Sequence, residues 1–393
     1  MGKNKITFVI PSRNNLEFLQ LAYKSIRDLK TKHEILVLND ASTDGTQEWM
    51  DSLGDSDLII YNNPGPERIG IVGMFDKGIE MARTDIIMAF HADMVAAPKL
   101  DENILKHLER GTVVSATRVE PPLHPAGPEK ITMNFHIGKE CEADNFDHKA
   151  FIDWCNNIGL KDIKTTEGIF APWCMYKEDF LAIGGHDELF APQSKEDSDI
   201  FNRFQLAGYK FKQPWDALVY HFTSRGSRFN KHAGGATGKN SEEWLYTTTK
   251  NMRNFIRKWG TVVQHDQLMK PVISPKYDIG FIVKNSNSNL LAGLEPWCST
   301  LYIDSSLIKS YVETEKSNTT IDLYDRIKPY DNEKQNQILI EIDGSNFDEQ
   351  DYQNIQQLPP IIYDSGELGE FELGNLKISI FNLQTYEKTL IKC

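Results

Sequence analysis

Residues 5–14 read KITFVIPSRN, and residues 34–46 read EILVLNDASTDGT. Each segment begins with a short run of aliphatic residues and ends in polar, turn-forming residues, which is the pattern of a buried strand followed by a loop. Between the two segments, apolar residues recur at helical spacing from Leu16 to Ile26. The chain is therefore predicted to open with a strand, a helix and a second strand.

The same alternation continues to about residue 117. The further predicted strands and helices cover residues 46–53, 58–61, 71–82, 86–90, 98–110 and 113–117. Strands that alternate with helices predict an α/β fold with an open, mostly parallel sheet flanked by helices. Ligands of such sheets bind outside the carboxyl ends of the strands, so the residues directly after each strand are the candidate functional residues.

Composition and charge exclude some classes of protein. The chain has 393 residues, enough for roughly two to three domains, and 40% hydrophobic residues, which is typical of a globular protein. Its formal net charge of −13 disfavours a nucleic-acid partner, because nucleic-acid affinity depends on neutralising phosphates. The apolar runs are far shorter than the ~20 residues of a spanning helix, so no membrane span is predicted.

The five cysteines do not form a recognisable framework. They are odd in number and never occur in a Cys-x-x-Cys pair, which argues against a zinc site or a set of disulfides. Reduced thiols and a cytoplasmic location are the expectation.

The pattern of predicted strands, helices and turns changes along the chain, which suggests two domains. Residues 1–265 are predicted to form the first, with residues 118–162 as a proline-rich insertion that interrupts the strand–helix rhythm. After Pro271, short strands alternate with turns rich in Asn, Ser and Asp. Residues 272–393 are therefore predicted to form a smaller, β-rich α/β domain of unknown role.

Two common phosphate-binding motifs do not match. The chain has no Gly-x-Gly-x-x-Gly, and residues 234–240 (GGATGKN) have the wrong glycine spacing for a phosphate loop and end in Asn240 instead of Ser or Thr. A dinucleotide-dependent enzyme or a P-loop kinase is therefore disfavoured.

Polar residues follow several strands at the predicted ligand edge. Residues 11–14 (PSRN) and 39–46 (NDASTDGT) come after the first two strands, where Asp40 is able to accept a hydrogen bond from a nucleobase and Arg13 to pair with an anionic nucleotide. His91 and Asp93 have the i, i+2 spacing of ligands that hold a divalent cation. The alternative for each segment alone is a helix cap or a turn, which the same residues also favour.

Two later segments add titratable groups. Glu196 and Asp197 lie at the predicted start of a helix, where acidic residues cap the helix dipole but a carboxylate is also able to take a proton from a hydroxyl. His221 ends a predicted strand, and a lone histidine there is usually structural.

In this order, the segments resemble family 2 glycosyltransferases of the GT-A fold. The resemblance rests on ITFVIPSRNN, EILVLNDASTDGT, MAFHADM, IGGHDELFAPQSKEDSDIFNRFQLAGYKF and VYHF, and it covers roughly residues 5–222. It implies an inverting transfer of a sugar from a nucleotide-sugar, expected to be UDP-linked, to a hydroxyl of a glycan or other acceptor. It also implies a Mn²⁺ or Mg²⁺ ion on the diphosphate.

The resemblance also implies roles for single residues. Asp197, with its neighbour Glu196, matches the catalytic base. The residues that match the nucleotide-sugar site are Pro11, Arg13, Asp40, His91, Ala92 and Asp93. Asp93 and His221 match metal ligands.

The chain departs from the family at two positions. His91 replaces the first Asp of the family's Asp-x-Asp metal motif, which weakens the expected dependence on metal. Residues 75–76 (FD) stand where family members often have an Arg-Asn pair, so Arg68 is expected to supply the positive charge instead.

Two groups of residues have less specific assignments. Arg225, Arg228 and Lys231 lie in a Gly-rich stretch that is expected either to close over the diphosphate or to be a solvated basic loop. Trp154, Trp173 and Trp215 are candidates for acceptor recognition, because indole faces stack on sugars; the alternative for each is a place in the core.

Two other functions remain open at this point. A nucleotidyltransferase that makes nucleotide-sugars shares the open sheet, but it needs a Gly-rich basic loop after the first strand, and residues 11–15 (PSRNN) contain no glycine. A carbohydrate-binding protein with an inactive transferase domain is the other alternative, which the His91 replacement keeps open.

Overall fold

The structure is a computed structural model that describes residues 5–138, 141–225, 228–231, 234–236 and 238–391. The chain divides into two compact units, residues 1–247 with 265–272 and residues 248–264 with 273–392. Residues 248–264, which precede the second sheet in the chain, group with the second unit.

The first unit alternates strands and helices as the sequence pattern indicates. Its strands are β1 (Ile6–Ser12), β2 (Glu34–Asp40), β3 (Leu58–Asn63), β4 (Ile86–Ala89), β5 (Met94–Ala96), β6 (Thr112–Ser115), β7 (Thr117–Glu120), β8 (Ile131–Thr132), β9 (Thr165–Thr166), β10 (Trp173–Tyr176), β11 (Lys210–Pro214) and β12 (Leu218–His221). Its helices are α1 (Leu16–Arg27), α2 (Thr46–Ser52), α3 (Ile71–Met81), α4 (Leu100–Leu105), α5 (His148–Asn157), α6 (Lys177–Ala182), α7 (Glu196–Leu206) and the beginning of α8 (Glu242–Trp259).

The large sheet has the strand order β3-β2-β1-β4-β10-β6-β11-β9. Strands β1 to β4 are mutually parallel, whereas β10 runs antiparallel to both of its neighbours. Both β1 and β2 are almost fully buried, which explains their continuous aliphatic runs. Because β1, β2 and β4 are parallel, the residues after them meet at one edge of the sheet.

A second sheet, in the order β5-β12-β7-β8, includes part of the predicted insertion. The amide of Ala116 donates to the carbonyl of Pro172, and the next amide, that of Thr117, donates to the carbonyl of Ala217. The chain therefore changes sheets at Ala116, and the single strand predicted over residues 113–117 is wrong. Residues of the insertion pack against α1 in a shared apolar cluster that includes Phe18, Phe135 and Phe151.

The helix predicted over residues 98–110 is shorter in the structure. It begins at Leu100, after Lys99 in a left-handed conformation (φ 63°), and ends at Leu105. The amide of His107 then bonds to the carbonyl of Ile104, which is the tighter i to i−3 spacing that often closes a helix.

The second unit has its own sheet and core. Its strands and helices are β13 (Ile279–Lys284), α9 (Ser288–Leu294), β14 (Thr300–Ile303), α10 (Ser305–Glu315), α11 (Leu323–Arg326), β15 (Ile327–Pro329), β16 (Ile338–Asp343), α12 (Glu349–Ser365), β17 (Gly369–Leu373) and β18 (Leu376–Ile380). The sheet order is β15-β14-β13-β16-β18-β17. The prediction of an open, mostly parallel α/β sheet followed by a smaller β-rich α/β region is confirmed.

Helix α8 carries a buried ion-pair network in the second unit. The guanidinium of Arg257 pairs with the fully buried carboxylate of Glu295, at 2.7 Å, and with that of Glu315. None of the helices in the described ranges has the length and apolar character of a membrane span.

Candidate functional site

A cavity of about 260 Å³ lies at the carboxyl edge of β1, β2 and β4 in the first unit. All of the residues predicted for the nucleotide-sugar site line this one cavity. The lining includes Pro11, Arg13, Asp40, Arg68, His91, Ala92, Asp93, Glu196, His221 and Trp244. The structure therefore brings together residues that are far apart in the sequence.

Three side chains in this cavity form a group that is able to hold a metal ion. One ligand atom from each of His91, Asp93 and His221 lies within 4.8 Å of the other two. The cluster joins the loop after β4 to the end of β12, because β12 pairs with β5 directly after Asp93. Loss of solvent lowers the pKa of His91, so its ring is neutral, as a metal ligand must be.

Glu120, at the end of β7, orients one of these ligands. Its Oε1 lies 2.8 Å from Nδ1 of His221, while Nε2 of His221 lies 3.7 Å from Oδ2 of Asp93. Burial alone raises the pKa of Glu120, but the hydrogen bond from His221 and the charge of Arg118 outweigh it and lower that pKa below its ordinary value. A carboxylate on the far nitrogen of a histidine is the arrangement that fixes metal-binding histidines.

Asp93 is also held by the backbone that follows β12. The amide of Arg225 donates to Oδ2 of Asp93 at 2.9 Å. This contact ties the metal-type cluster to residues after His221 and fixes the orientation of the Asp93 carboxylate.

Asp40 shapes the opposite wall of the cavity. Its buried carboxylate accepts hydrogen bonds from the amides of Ile69 and Gly70, at 2.8 and 2.7 Å, and from the side chain of Asn63. In this structure the carboxylate therefore holds the loop before α3 against the end of β2. Gly70 has a positive φ of 89°, and a Cβ there would meet Pro192 at 2.4 Å, so the close approach of the two loops requires a glycine.

Two arginines from separate loops converge in the cavity. Nη1 of Arg13 lies 3.4 Å from Oε1 of Glu243, and Nη1 of Arg68 pairs with the same oxygen. Burial, and then the charge of Arg13, lower the pKa of Arg68 from its ordinary value. Glu243 and the adjacent Trp244 belong to the first turn of α8.

Glu196 and Asp197 begin α7 after a strained turn. The two preceding residues, Ser194 and Lys195, both have positive φ (79° and 74°), a conformation that is uncommon for residues other than glycine. Burial, together with the negative charge of Asp197, raises the pKa of Glu196 to about 8. Oε2 of Glu196 is buried without a hydrogen-bond partner among the described residues.

The carboxyl groups of Glu196 and Asp197 have different positions relative to the cavity. Glu196 lines the cavity, whereas the half-buried Asp197 is not among its described lining residues. The negative charge of Asp197 nevertheless opposes the lowering of the pKa of His91.

The assignment of tryptophans to acceptor recognition needs correction. Trp173 is 1% exposed within β10, and Trp215 is 7% exposed, with Nε1 donating to Oγ1 of Thr166. Neither buried ring offers a face to a ligand. Trp154 is half-buried and packs on the apolar cluster around Phe135.

The expected basic lid is corrected at one position. Arg225 is 3% exposed, and its guanidinium donates to Oε1 of Glu142 and to the carbonyl of Cys141, so it is a structural residue. Nε of Arg228 donates to Asn240, and its guanidinium lies 4.5 Å from the centroid of the Trp244 ring. Lys231 is exposed, 3.9 Å from Glu17. Positions 226, 227, 232, 233 and 237 of this stretch lie outside the described residues.

Sequence reasoning missed Glu120, Glu243 and Trp244. Glu120 ends a strand next to the His221 strand in the sheet, but that pairing is not visible in the sequence. Glu243 and Trp244 read as ordinary residues of an amphipathic helix. Cys141, Cys155, Cys174 and Cys298 are free and buried, and Cys393 lies outside the described residues.

The fold and the cavity define an α/β protein with an acidic and histidine-rich site at the carboxyl edge of a mostly parallel sheet. Residues 7–163 match the family model described as glycosyl transferase family 2. The match is a similarity to that family over part of the first unit.

The chain is also similar to a curated relative. It is 25% identical over 120 residues to an undecaprenyl-phosphate mannosyltransferase of Micrococcus luteus, an alignment that covers 30% of this chain and 49% of the relative. The chain therefore spans about half the length of that relative.

Among solved structures, the chain is similar to GalNAc-T7 with UDP, GalNAc and Mn²⁺, with 12% identity, a TM-score of 0.45 and coverage of 65% of this chain and 50% of the other. It is also similar to the mannosyltransferase PcManGT from Pyrobaculum calidifontis in complex with GDP-Man and Mn²⁺. That similarity has 16% identity, a TM-score of 0.41 and coverage of 66% of this chain and 64% of the other.

Proposed function

We propose that the protein is a glycosyltransferase that moves a sugar from a nucleotide-sugar, with UDP as the expected nucleotide, to a hydroxyl of a glycan acceptor with inversion. The observation that carries this proposal is the single cavity that combines two arginines, a metal-type cluster and a buried carboxyl group. The family match over residues 7–163 supports it independently.

The donor is proposed to lie along the carboxyl edge of the sheet. Pro11 and Asp40 form the wall for the nucleoside, and Arg13 and Arg68 provide positive charge for the diphosphate. Guanidinium groups suit this role because their planar N–H donors match phosphate oxygens in pairs.

His91, Asp93 and His221 would hold the metal ion. Two imidazoles and one carboxylate favour Mn²⁺ over Mg²⁺, which prefers oxygen ligands alone. When bound, the ion stabilises the negative charge that develops on the leaving diphosphate. The hydrogen bond from His221 to Glu120 would keep Nε2 of His221 directed at that ion.

Asp197 is proposed as the base that takes the proton of the acceptor hydroxyl. With a pKa of about 8, Glu196 is mostly protonated at neutral pH and unable to accept that proton. Two adjacent carboxyl groups with different protonation states take different roles in catalysis. The neutral Glu196 would instead donate a hydrogen bond to the bound donor.

A matched pair of variants tests this assignment. Asp197→Asn should leave donor binding intact and lower transfer by at least 10²-fold, the usual contribution of a general base. Glu196→Gln keeps a neutral, hydrogen-bonding group and should retain most of the transfer. If Asp197→Asn retains more than a tenth of the wild-type rate, Asp197 is not the base.

The readout should separate the enzyme from the alternatives. Nucleoside diphosphate released from a panel of nucleotide-sugars, with and without acceptor glycans, measures transfer and hydrolysis together. A protein that binds nucleotide-sugars but never releases the diphosphate would be the carbohydrate-binding alternative. Formation of nucleotide-sugar from a nucleoside triphosphate and a sugar phosphate would identify the nucleotidyltransferase alternative.

A further inference from the structure

Glu243 places a carboxylate where two guanidinium groups meet. Arg13 follows β1 and Arg68 precedes α3, yet both pair with the same oxygen, Oε1 of Glu243. All three side chains belong to the first unit. A residue about 175 positions away from Arg68 thus supplies the counter-charge in the cavity.

The carboxylate of Glu243 does not satisfy all of the hydrogen-bond donors of the two arginines. Nε of Arg13 and Nε of Arg68 are both buried without a hydrogen-bond partner among the described residues. Within the described part of the chain, the Arg13 side chain makes one long hydrogen bond of 3.4 Å, to Glu243, and Arg68 adds one bond of 3.2 Å to Gln193. A buried N–H that lacks an acceptor costs free energy, so a larger anion with several oxygens would satisfy this pair better.

The charges around Arg13 and Arg68 oppose the simultaneous presence of the Glu243 carboxylate and a bound anion. The charge of Asp40 also acts on Arg68, so Arg68 already interacts with two carboxylates, those of Glu243 and Asp40. Adding a further anion beside Glu243 would bring like charges together. The side chain of Glu243 is 40% exposed, whereas Asp40 is buried and bonded to two amides, so Glu243 is the carboxylate that is able to leave.

We propose that Arg13 and Arg68 form an anion site for a diphosphate and that Glu243 is its internal occupant, which the diphosphate must displace. The identity of the ligand as the diphosphate of a nucleotide-sugar rests on the proposed function. Displacement would also release the first turn of α8, which carries Trp244 on the wall of the cavity. Glu243 would therefore lower the affinity for every diphosphate ligand in the free protein.

The test is a calorimetric titration of the full chain with inorganic pyrophosphate in the presence of EDTA. Glu243→Gln keeps the size of the side chain but removes its charge, and it should tighten pyrophosphate binding by about tenfold, equivalent to about 1.4 kcal/mol. Glu242→Gln alters an exposed residue in the same turn and should leave the affinity unchanged. Arg68→Gln should weaken binding at least tenfold, which locates the site.

Thermal melting with and without pyrophosphate adds a second readout, because a bound ligand stabilises the folded protein. Without ligand, Glu243→Gln should melt below the wild type, because two adjacent guanidinium groups lose their shared counter-charge; saturating pyrophosphate should remove the difference. Unchanged or weaker pyrophosphate binding in Glu243→Gln, or an equal gain in Glu242→Gln, would overturn the proposal. Failure of the proposed function would instead appear as no turnover of any nucleotide-sugar while the pyrophosphate results stand.

Discussion

At the scale of single residues, the cavity depends on groups that act through others. Glu120 does not belong to the metal-type cluster, yet it determines which nitrogen of His221 faces Asp93. The backbone amide of Arg225 fixes the orientation of the Asp93 carboxylate by donating a hydrogen bond to it. The geometry of the cluster is therefore set by β7 and by the segment after β12 as much as by His91, Asp93 and His221 themselves.

Substitution of Glu120 tests this dependence. Glu120→Gln should weaken Mn²⁺ binding by about 10- to 100-fold, the usual cost of removing the partner that orients a metal-binding histidine. Paramagnetic resonance of Mn²⁺ titrated into the protein measures the affinity directly. Glu129→Gln, a carboxylate on the same segment that faces Arg118 at 3.9 Å, is the control and should change little. Equal affinities in wild type and Glu120→Gln would contradict the proposed role.

The raised pKa of Glu196 predicts how stability depends on pH. The folded protein keeps the Glu196 proton up to a pKa of about 8, whereas the unfolded chain releases it near the ordinary value of 4.5. Between these values the unfolded state holds fewer protons than the folded state, so the contribution of Glu196 to the free energy of unfolding falls as pH rises from 4.5 to about 8.

Thermal melting across this range checks the sign. The melting temperature of the wild type should fall relative to that of Glu196→Gln between pH 5 and about pH 8, and the difference should level off at higher pH. Parallel melting curves for the two proteins would show that Glu196 has no raised pKa.

Many of the residues that line the cavity were predictable from the sequence, but some residues were assigned to the wrong surroundings. Asp40, His91, Asp93 and Glu196 follow strands or begin a helix, so position after a local element is enough to single them out. Trp173 and Trp215 were misassigned because a tryptophan in the core and one on a binding surface look the same in a sequence.

At the scale of elements, the packing of α3 on the sheet positions the loop that carries Arg68. A Cβ at Gly78 would lie 2.4 Å from Cγ1 of Val9 in β1 and 2.8 Å from Cδ1 of Leu38 in β2. The absence of a side chain at Gly78 therefore allows α3 to approach both strands closely. Alanine at this position would require α3 or the side chains of Val9 and Leu38 to shift.

Gly78→Ala is expected to destabilise the protein by about 1–2 kcal/mol, since overpacking a buried site costs about 1–3 kcal/mol and the better helix propensity of alanine recovers part of that. Urea denaturation followed by circular dichroism measures the change. Glu80→Ala, on the exposed side of the same helix, should change stability by less than about 0.5 kcal/mol. A Gly78→Ala protein as stable as the wild type would show that α3 is free to shift.

Elements with regular local patterns were the most predictable. Strands β1 and β2 and helix α1 start at the expected residues, because their aliphatic runs and helical spacing are local signals. The change of sheets at Ala116 was not predictable, because it depends on hydrogen bonds between distant residues. The amide of Ala116 bonds to Pro172, 56 residues away in the chain, and the amide of Thr117 bonds to Ala217, 100 residues away. Non-local pairing leaves no mark on local propensity.

At the scale of the whole molecule, the two units carry different kinds of polar group. The first gathers arginines, histidines and carboxyl groups in a cavity. In the second, the most buried carboxylate, that of Glu295, is neutralised by Arg257 and Arg326 within the core. The described part of the second unit therefore shows a structural charge network, while the chemistry proposed above lies in the first unit.

The central claim is that the cluster of His91, Asp93 and His221 holds a metal ion that grips the diphosphate of the donor. Calorimetric titration of UDP, with GDP alongside, into the wild type and Asp93→Asn tests it, each with Mn²⁺ and with EDTA. Mn²⁺ should tighten nucleotide binding to the wild type by at least about tenfold, or about 1.4 kcal/mol, and should have no such effect on Asp93→Asn. Equal nucleotide affinity of the wild type with and without Mn²⁺ would contradict the claim.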